Sequence, residues 1–426
     1  MSVLPASFHG PKGAADQNAR PAAAAFGAIN IVALSALQGF GVPFAGSSVE
    51  LCLPIYFASL ALVVFGLNLS ISPVRLILYG AMVAAMVMSQ LLSGSQTDLP
   101  ALMLVLVLYS AFVVEIPVGQ TTLHRVLGVF QRIMMGAAAL VFLQHAIQFT
   151  IGAAYWPSLK NLVPAELLFP GYNYVQPFDY GSPYIKPNAF FFLEASFVSQ
   201  FLAIALVIEL SVFRRLAVLA FFVAALFACL AGSGLLILAI AAPILALRAP
   251  PRLWLAGGVL LAVVGIAATT LGWTEVTGRR IAEFGKPGSS AYNRYVRPMQ
   301  QIEGLVEEPE RIVIGHGAGR TPLGDQGDDT LPLSKMAYEY GFVATLILLA
   351  LMIAAIFGGG TNLAIATVLF LFYNLGGGGL SVPVYVLLPA VLAANLKVRE
   401  KEAGTGPEED VFTVLAARPA IRPAAA

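Results

Sequence analysis

Hydrophobic residues run through this chain in long continuous blocks and do not alternate with polar ones. A helix crossing a hydrocarbon core of ~30 Å needs roughly 20 such residues. Runs of about this kind recur near 24–44, 50–68, 74–92, 99–118, 126–152, 190–211, 215–231, 233–248, 252–272, 333–357, 361–375 and 381–396. A backbone facing lipid must satisfy its own hydrogen bonds, and runs without a period of two do not suit barrel strands. The expected fold is therefore an all-α polytopic membrane protein of about 12 transmembrane helices, the seventh and eighth parted only by AGSG at 231–234.

Composition points the same way. Of the 426 residues, 58% are hydrophobic and 11% charged, whereas soluble domains carry about 25% charged residues. Lysine and arginine then orient the chain. Lys12, Arg20, Arg75, Arg125, Arg214, Arg215, Arg248, Arg252, Lys397, Arg399 and Lys401 fall on one set of connections, and the loops near 46–48, 95–98, 231–234 and 376–380 have neither residue. This alternation predicts both termini on the cytoplasmic side. The two long connections, 153–189 and 273–332, then lie outside, the second between helices nine and ten.

One transmembrane domain is expected over 24–396. Residues 1–23 and 397–426 lack an apolar period and read as disordered cytoplasmic ends. The leader before the first run has no compact charged region and no cleavage site, so that run reads as a retained span. Cys52 and Cys229 fall within runs and read as small apolar groups, with no disulfide or CxxC framework. A net charge of +1 gives no sign of nucleic-acid binding.

In a membrane protein, ionisable groups within spans are the first functional candidates. Glu50, Glu115 and Glu209 lie near predicted span ends and read as interfacial carboxylates. His145 reads as a helix-packing residue. Glu194 is placed about one turn inside span six, in KPNAFFFLEASFVSQ at 186–200, with Ser196 and Ser199 nearby and Lys186 and Asn188 before it. A carboxylate there can take a proton from a polar substrate presented from outside, or join helices through a hydrogen bond.

In the second long connection, SSAYNRYVRPMQQIEGLVEEP at 289–309 predicts a helix begun by a serine cap. On a 3.6-residue wheel Tyr295, Met299, Ile302 and Val306 form one stripe, and Arg294, Arg297 and Gln301 another. Such a helix lies on a bilayer with its arginines toward a charged partner, or is an ordinary solvated helix. Pro298 is discordant in its interior. RIVIGHGAGR at 311–320 follows, where glycines bracketed by Arg311 and Arg320 can aim backbone amides at an anion or make a plain turn. His316 in that turn titrates near neutrality when unperturbed. GDQGDD at 324–329 has Asp325, Asp328 and Asp329 but not the spacing of a calcium loop, and no metal or other cofactor is called for.

Together these pieces resemble the O-antigen ligase and polysaccharide polymerase superfamily of bacterial inner-membrane proteins. The resemblance covers about 183–350. It rests on PNAFFFLEASFVSQFLAIALVIEL at 187–210, SSAYNR at 289–294, and IGHGAG at 314–319 followed by LSKMAYEYGFVATLILLAL at 333–351. Lys186 stands where many members have arginine, Ala195 replaces a proline, and DDT at 328–330 occupies the place where ligases often carry His-Asn. The Glu-Ala-Ser-Phe-Val-Ser form looks closer to exopolysaccharide polymerases.

The resemblance implies a GT-C-like layout and a metal-independent glycosyltransferase at the periplasmic face of the inner membrane. Its implied donor and acceptor are polyprenyl-diphosphate-linked oligosaccharides, held among membrane lipids, with room for a chain-length regulator as partner. Arg294, helped by Arg279, Arg280, Arg297 or Arg320, would stabilise the leaving diphosphate, with Lys186 and Asn188 binding substrate. Glu194 or His316 would serve as base. A ligase acting on a lipid or protein acceptor is the alternative within the superfamily. A twelve-helix secondary transporter is the alternative outside it, disfavoured by the lack of a half-to-half repeat.

Overall fold

The computed structural model describes residues 12–44, 47–66, 69–94, 98–178, 182–248, 282–289, 291–322 and 330–398. The expected span at 252–272, Arg279, Arg280, the 324–329 aspartates and the tail from 399 lie outside them. The described chain is mostly helical: α1 (Lys12–Ala36), α2 (Cys52–Gly66), α3 (Pro73–Ser93), α4 (Leu99–Ser110), α5 (Gln120–Thr150), α6 (Leu159–Leu162), α7 (Ala195–Ile208), α8 (Leu216–Ala228), α9 (Gly232–Arg248), α10 (Arg297–Val306), α11 (Pro309–Ile314), α12 (Pro332–Phe357), α13 (Leu363–Leu375) and α14 (Pro383–Pro389).

Among the described residues, α3, α5, α7 with its π-helical extension to Phe213, and α12 are long and apolar enough to cross a membrane. Seven more apolar helices of 10–17 residues occupy the other described runs. Such a set fits an all-α membrane protein.

Three local departures from the sequence expectation have physical causes. Helix α1 begins at Lys12, inside a segment expected to be disordered, because its alanine-rich start favours helix. The first run does not stay helical to 44. The glycines and proline of GFGVPF stop it, and β1 (Gly41–Phe44) pairs antiparallel with β2 (Ser47–Glu50). The run at 99–118 ends as a helix at Ser110, and its β-branched end, VEIPV, forms a strand. This strand, β4 (Val114–Val118), lies between β3 (Ser70–Ile71) and β5 (Leu396–Val398), antiparallel to the first and parallel to the second.

Helix α7 is the centre of the bundle, with only Ser196 of its fourteen residues not buried. It packs against α5, α8, α9 and α13, while α12 packs against α3. The end carrying the three-stranded sheet gathers paired charges. Arg75, 2% exposed, bonds the Ala355 and Ala394 carbonyls and pairs with Glu115 at 3.2 Å; Lys397 reaches the same carboxylate at 2.9 Å. Glu209 accepts the Arg215 backbone N–H and two bonds from its guanidinium. Glu115 lies in β4 and Glu209 where α7 passes into its π-helical extension, and both are buried. His145 joins α5 to the Ala228 carbonyl on α8 at 2.7 Å, a packing role.

Candidate functional site

The opposite end of the bundle, where α7, α9, α12 and α14 begin, collects most of the sequence candidates. Its connections are tied to one another. Ser199 on α7 donates to the Ala231 carbonyl, Gln200 donates to the Gly376 carbonyl, and the Gly379 N–H donates to Thr330.

Asn188 organises the approach to α7. It is 1% exposed, and its Nδ2 donates to the Tyr174 and Phe192 carbonyls. Its Oδ1 accepts from Gln144 and from the Phe190 N–H. With these contacts the side chain holds a turn in which Ala189 and Phe190 take φ of 50° and 69°. Residues in this left-handed region are strained unless their surroundings fix them. Asn188 therefore positions the segment, a role different from the substrate contact expected of it. Lys186, before it, is half-buried.

That turn also corrects the place of Glu194. Because the backbone is irregular through Phe190, α7 starts at Ala195 and Glu194 is its N-cap residue, outside the helix and not a turn inside. Its side chain makes no capping bond. It turns back to accept the Asn173 N–H and the Ser196 hydroxyl, both at 3.2 Å. It remains half-buried, so a polar substrate can reach it.

A second carboxylate, read from sequence as an interfacial group, is fully buried at the same end. Glu50 closes the β1–β2 hairpin; its Oε2 accepts the Cys52 thiol at 3.1 Å and the Val384 N–H at 3.2 Å, and its Oε1 has no hydrogen-bond partner. Cys52 is thus a donor as well as a small apolar group. Burial pushes the Glu50 carboxyl up to about 8, against the pull of those two bonds. Tyr174 feels both acids: burial, then Glu50 and, more weakly, Glu194 raise its phenol. The Tyr174 hydroxyl donates to the Gly39 and Phe169 carbonyls.

Arg294 approaches from the long connection. Ser289 does cap the helix, accepting the Tyr292 N–H. Residues Tyr292–Val296 then form a π turn before α10, and this explains two discrepancies. Pro298 falls in the first turn of α10, where no N–H is needed. The wider turn also shifts the register, so the 3.6-residue wheel misplaces the faces. Arg294, Pro298 and Leu305 are buried, while Met299 and Val306 are exposed. Arg294, 7% exposed, lies against Gly377, whose φ is +73° and where any Cβ would overlap its Nε. Tyr295 donates to the Leu375 carbonyl at 3.0 Å. Arg297 is half-buried at the start of α10.

The glycine turn serves a different purpose from anion binding. Helix α12 breaks at Gly341, with φ 81° and ψ 171°. A break strands the carbonyls of the preceding turn, and the GHGAG segment satisfies them: the His316 N–H donates to Tyr338 and the Gly317 N–H to Glu339. The Gly315 N–H goes to Arg311, the Ala318 N–H to Gln90 and the Arg320 N–H to Gly317, so the amides of 315–318 and of Arg320 are engaged within the protein. A Cβ at Gly315 would lie 2.5 Å from the Glu339 carbonyl, which explains the residue choice. His316 stacks on Tyr338 at 4.3 Å and stands 3.8 Å from Glu308. Arg311 bonds the Ser93 and Gly315 carbonyls, and Arg320 is exposed.

Sequence reading passed over the polar core beneath this turn. Glu339, 2% exposed, accepts the Thr321 hydroxyl at 2.9 Å and lies 3.8 Å from Lys335, four residues earlier on α12. The i, i+4 spacing of Lys335 and Glu339 was the available signal. Arg294 lies against Gly377 and α7 reaches Gly376 through Gln200, with Asn188 and Glu194 in the segment that leads into α7; His316 belongs to the neighbouring turn. No family model, curated protein or solved structure matches this chain.

Proposed function

We propose that the chain is an integral-membrane glycosyltransferase that polymerises polyprenyl-diphosphate-linked oligosaccharide units at the end of the bundle where α7 begins. The observation that carries this reading is the burial of Arg294 against the glycine connection at that end, in a chain with few charges. Breaking a glycosidic bond to diphosphate builds negative charge on the leaving group, and a guanidinium fixed in a low-dielectric site stabilises that charge without reorganising. Glu194, half-buried and reachable, takes the proton of the acceptor hydroxyl. Lys186, Arg297 and Arg320, with Arg279 and Arg280 from the same long connection, supply further positive charge for the diphosphate. In this reading the site faces the periplasm and the apolar helix faces hold the polyprenyl tail.

The GHGAG turn has a supporting part, since its His316 and Gly317 amides are committed to α12. The base is assigned to Glu194 in preference to His316, which is stacked on Tyr338 and bonded around the α12 break. That break is a feature that favours a transporter, where unwound carbonyls bind ions. Here the Tyr338 and Glu339 carbonyls already accept the His316 and Gly317 amides. Arg294→Ala is expected to abolish long polymer while the protein still inserts and accumulates in the membrane; normal chain lengths would refute the assignment. Capping of one acceptor without chain growth would select a ligase. Flux of labelled substrate with no new glycosidic bond would select a transporter.

A further inference from the structure

Helices α5 and α8 leave an open groove of about 580 Å³ between them, lined by Arg132, Met135, Gly136, Ala217, Val218 and Phe221. Apart from Arg132 its lining is apolar. Nothing lies within 4 Å of where a Cβ on Gly136 would sit, so the missing side chain keeps the groove open. Arg132 is exposed, and among the described residues it has no hydrogen bond or ion pair. It belongs to α5, one of the helices long and apolar enough to span the membrane. A guanidinium there is costly unless its stem snorkels toward the interface and its head meets an anion.

The groove's depth follows from its neighbours. The Phe213 ring, three residues before α8, lies tilted 6.5 Å from the His124 ring and beside Gly128. Arg132 is about one turn further along α5, and Ala217, Val218 and Phe221 fall in the first two turns of α8. Helix α5 has 31 residues, about 46 Å at 1.5 Å per residue, longer than a ~30 Å hydrocarbon core. Arg132 is thus within snorkelling reach of the headgroup layer at the sheet-bearing end. Arg125, Arg214 and Arg215 are exposed at that same end.

We infer that this groove binds one anionic phospholipid from the leaflet at the sheet-bearing end, its phosphate on Arg132 and an acyl chain along the walls of α5 and α8. Charge complementarity decides the occupant. Free phosphate would leave the apolar walls uncovered, and a zwitterionic headgroup would bring a cation toward the Arg132 guanidinium. The site is distinct from the proposed transferase site, which lies at the other end of the bundle.

The test uses the full chain, purified in detergent and studied by native mass spectrometry with added phosphatidylglycerol, phosphatidylcholine or inorganic phosphate. One phosphatidylglycerol is expected to be retained about tenfold more tightly than phosphatidylcholine, a ratio corresponding to about 1.4 kcal/mol, with no retention of inorganic phosphate. Arg132→Gln removes the preference and Arg132→Lys keeps part of it. Gly136→Phe fills the groove and weakens retention with the charge still present. Both positions are exposed, so the variants should keep the wild-type unfolding midpoint without lipid. Wild-type retention by both Arg132→Gln and Gly136→Phe would overturn the inference, as would equal binding of the two lipids.

Discussion

Gly341→Ala tests how the α12 break and the glycine turn depend on each other. At φ 81° and ψ 171° the backbone occupies a region open essentially to glycine alone, and placing another residue there costs about 1–3 kcal/mol. The new Cβ would also overlap the Val313 carbonyl. Because that obstacle is backbone, α11 must move away, and the His316–Tyr338 and Gly317–Glu339 bonds go with it. Each is a net contribution of about 1 kcal/mol, which brings the expected loss to about 3–5 kcal/mol. The assay is the unfolding midpoint of the full chain in detergent, against Gly304→Ala as control. Gly304 lies in α10 with nothing within 4 Å of a Cβ, so alanine there is neutral or stabilising by about 0.5–1 kcal/mol. A Gly341→Ala protein with the wild-type midpoint would refute the reasoning.

The remaining predictions concern single buried side chains. Asn188→Ala removes the bonds that hold the turn before α7 and is expected to lower stability by about 2–4 kcal/mol; transfer should fall further than stability alone explains, because Glu194 loses its support. Arg75→Met leaves Glu115 with only Lys397 and should cost about 3–5 kcal/mol, read from the same unfolding midpoint. Glu50 keeps its proton in the folded state up to about pH 8, whereas the unfolded chain releases it near 4.5. Stability from this group is therefore full at low pH and lost as pH rises through that window. Unfolding midpoints of Glu50→Gln across pH 5–9 should show a flatter profile than wild type, and an unchanged slope would remove Glu50 as its source.

The helices were legible because continuous apolar runs leave little else for a backbone in lipid to do. Their ends were not. The strand at Val114–Val118 exists because partners from residues 70 and 396 meet it, a long-range pairing that no local window contains. Arg294 was legible as a candidate, yet its direction was misread, since a π turn changes which residues share a face. The glycines of GHGAG signalled a special backbone, and that signal was correct. What they accommodate is the broken end of α12, brought there by tertiary packing. Glu50 looked like one more acid at a helix boundary, and only the hairpin and the start of α14 enclose it.

The most direct measurement of the central claim follows a purified, reconstituted chain supplied with a polyprenyl-diphosphate oligosaccharide, counting polyprenyl diphosphate released against glycosidic bonds formed. The account predicts one released for each bond, and a fall of about 100-fold or more in both for Arg294→Gln with the fold retained. Failure of the wild-type protein to form any glycosidic bond, or an undiminished rate in Arg294→Gln, would contradict it.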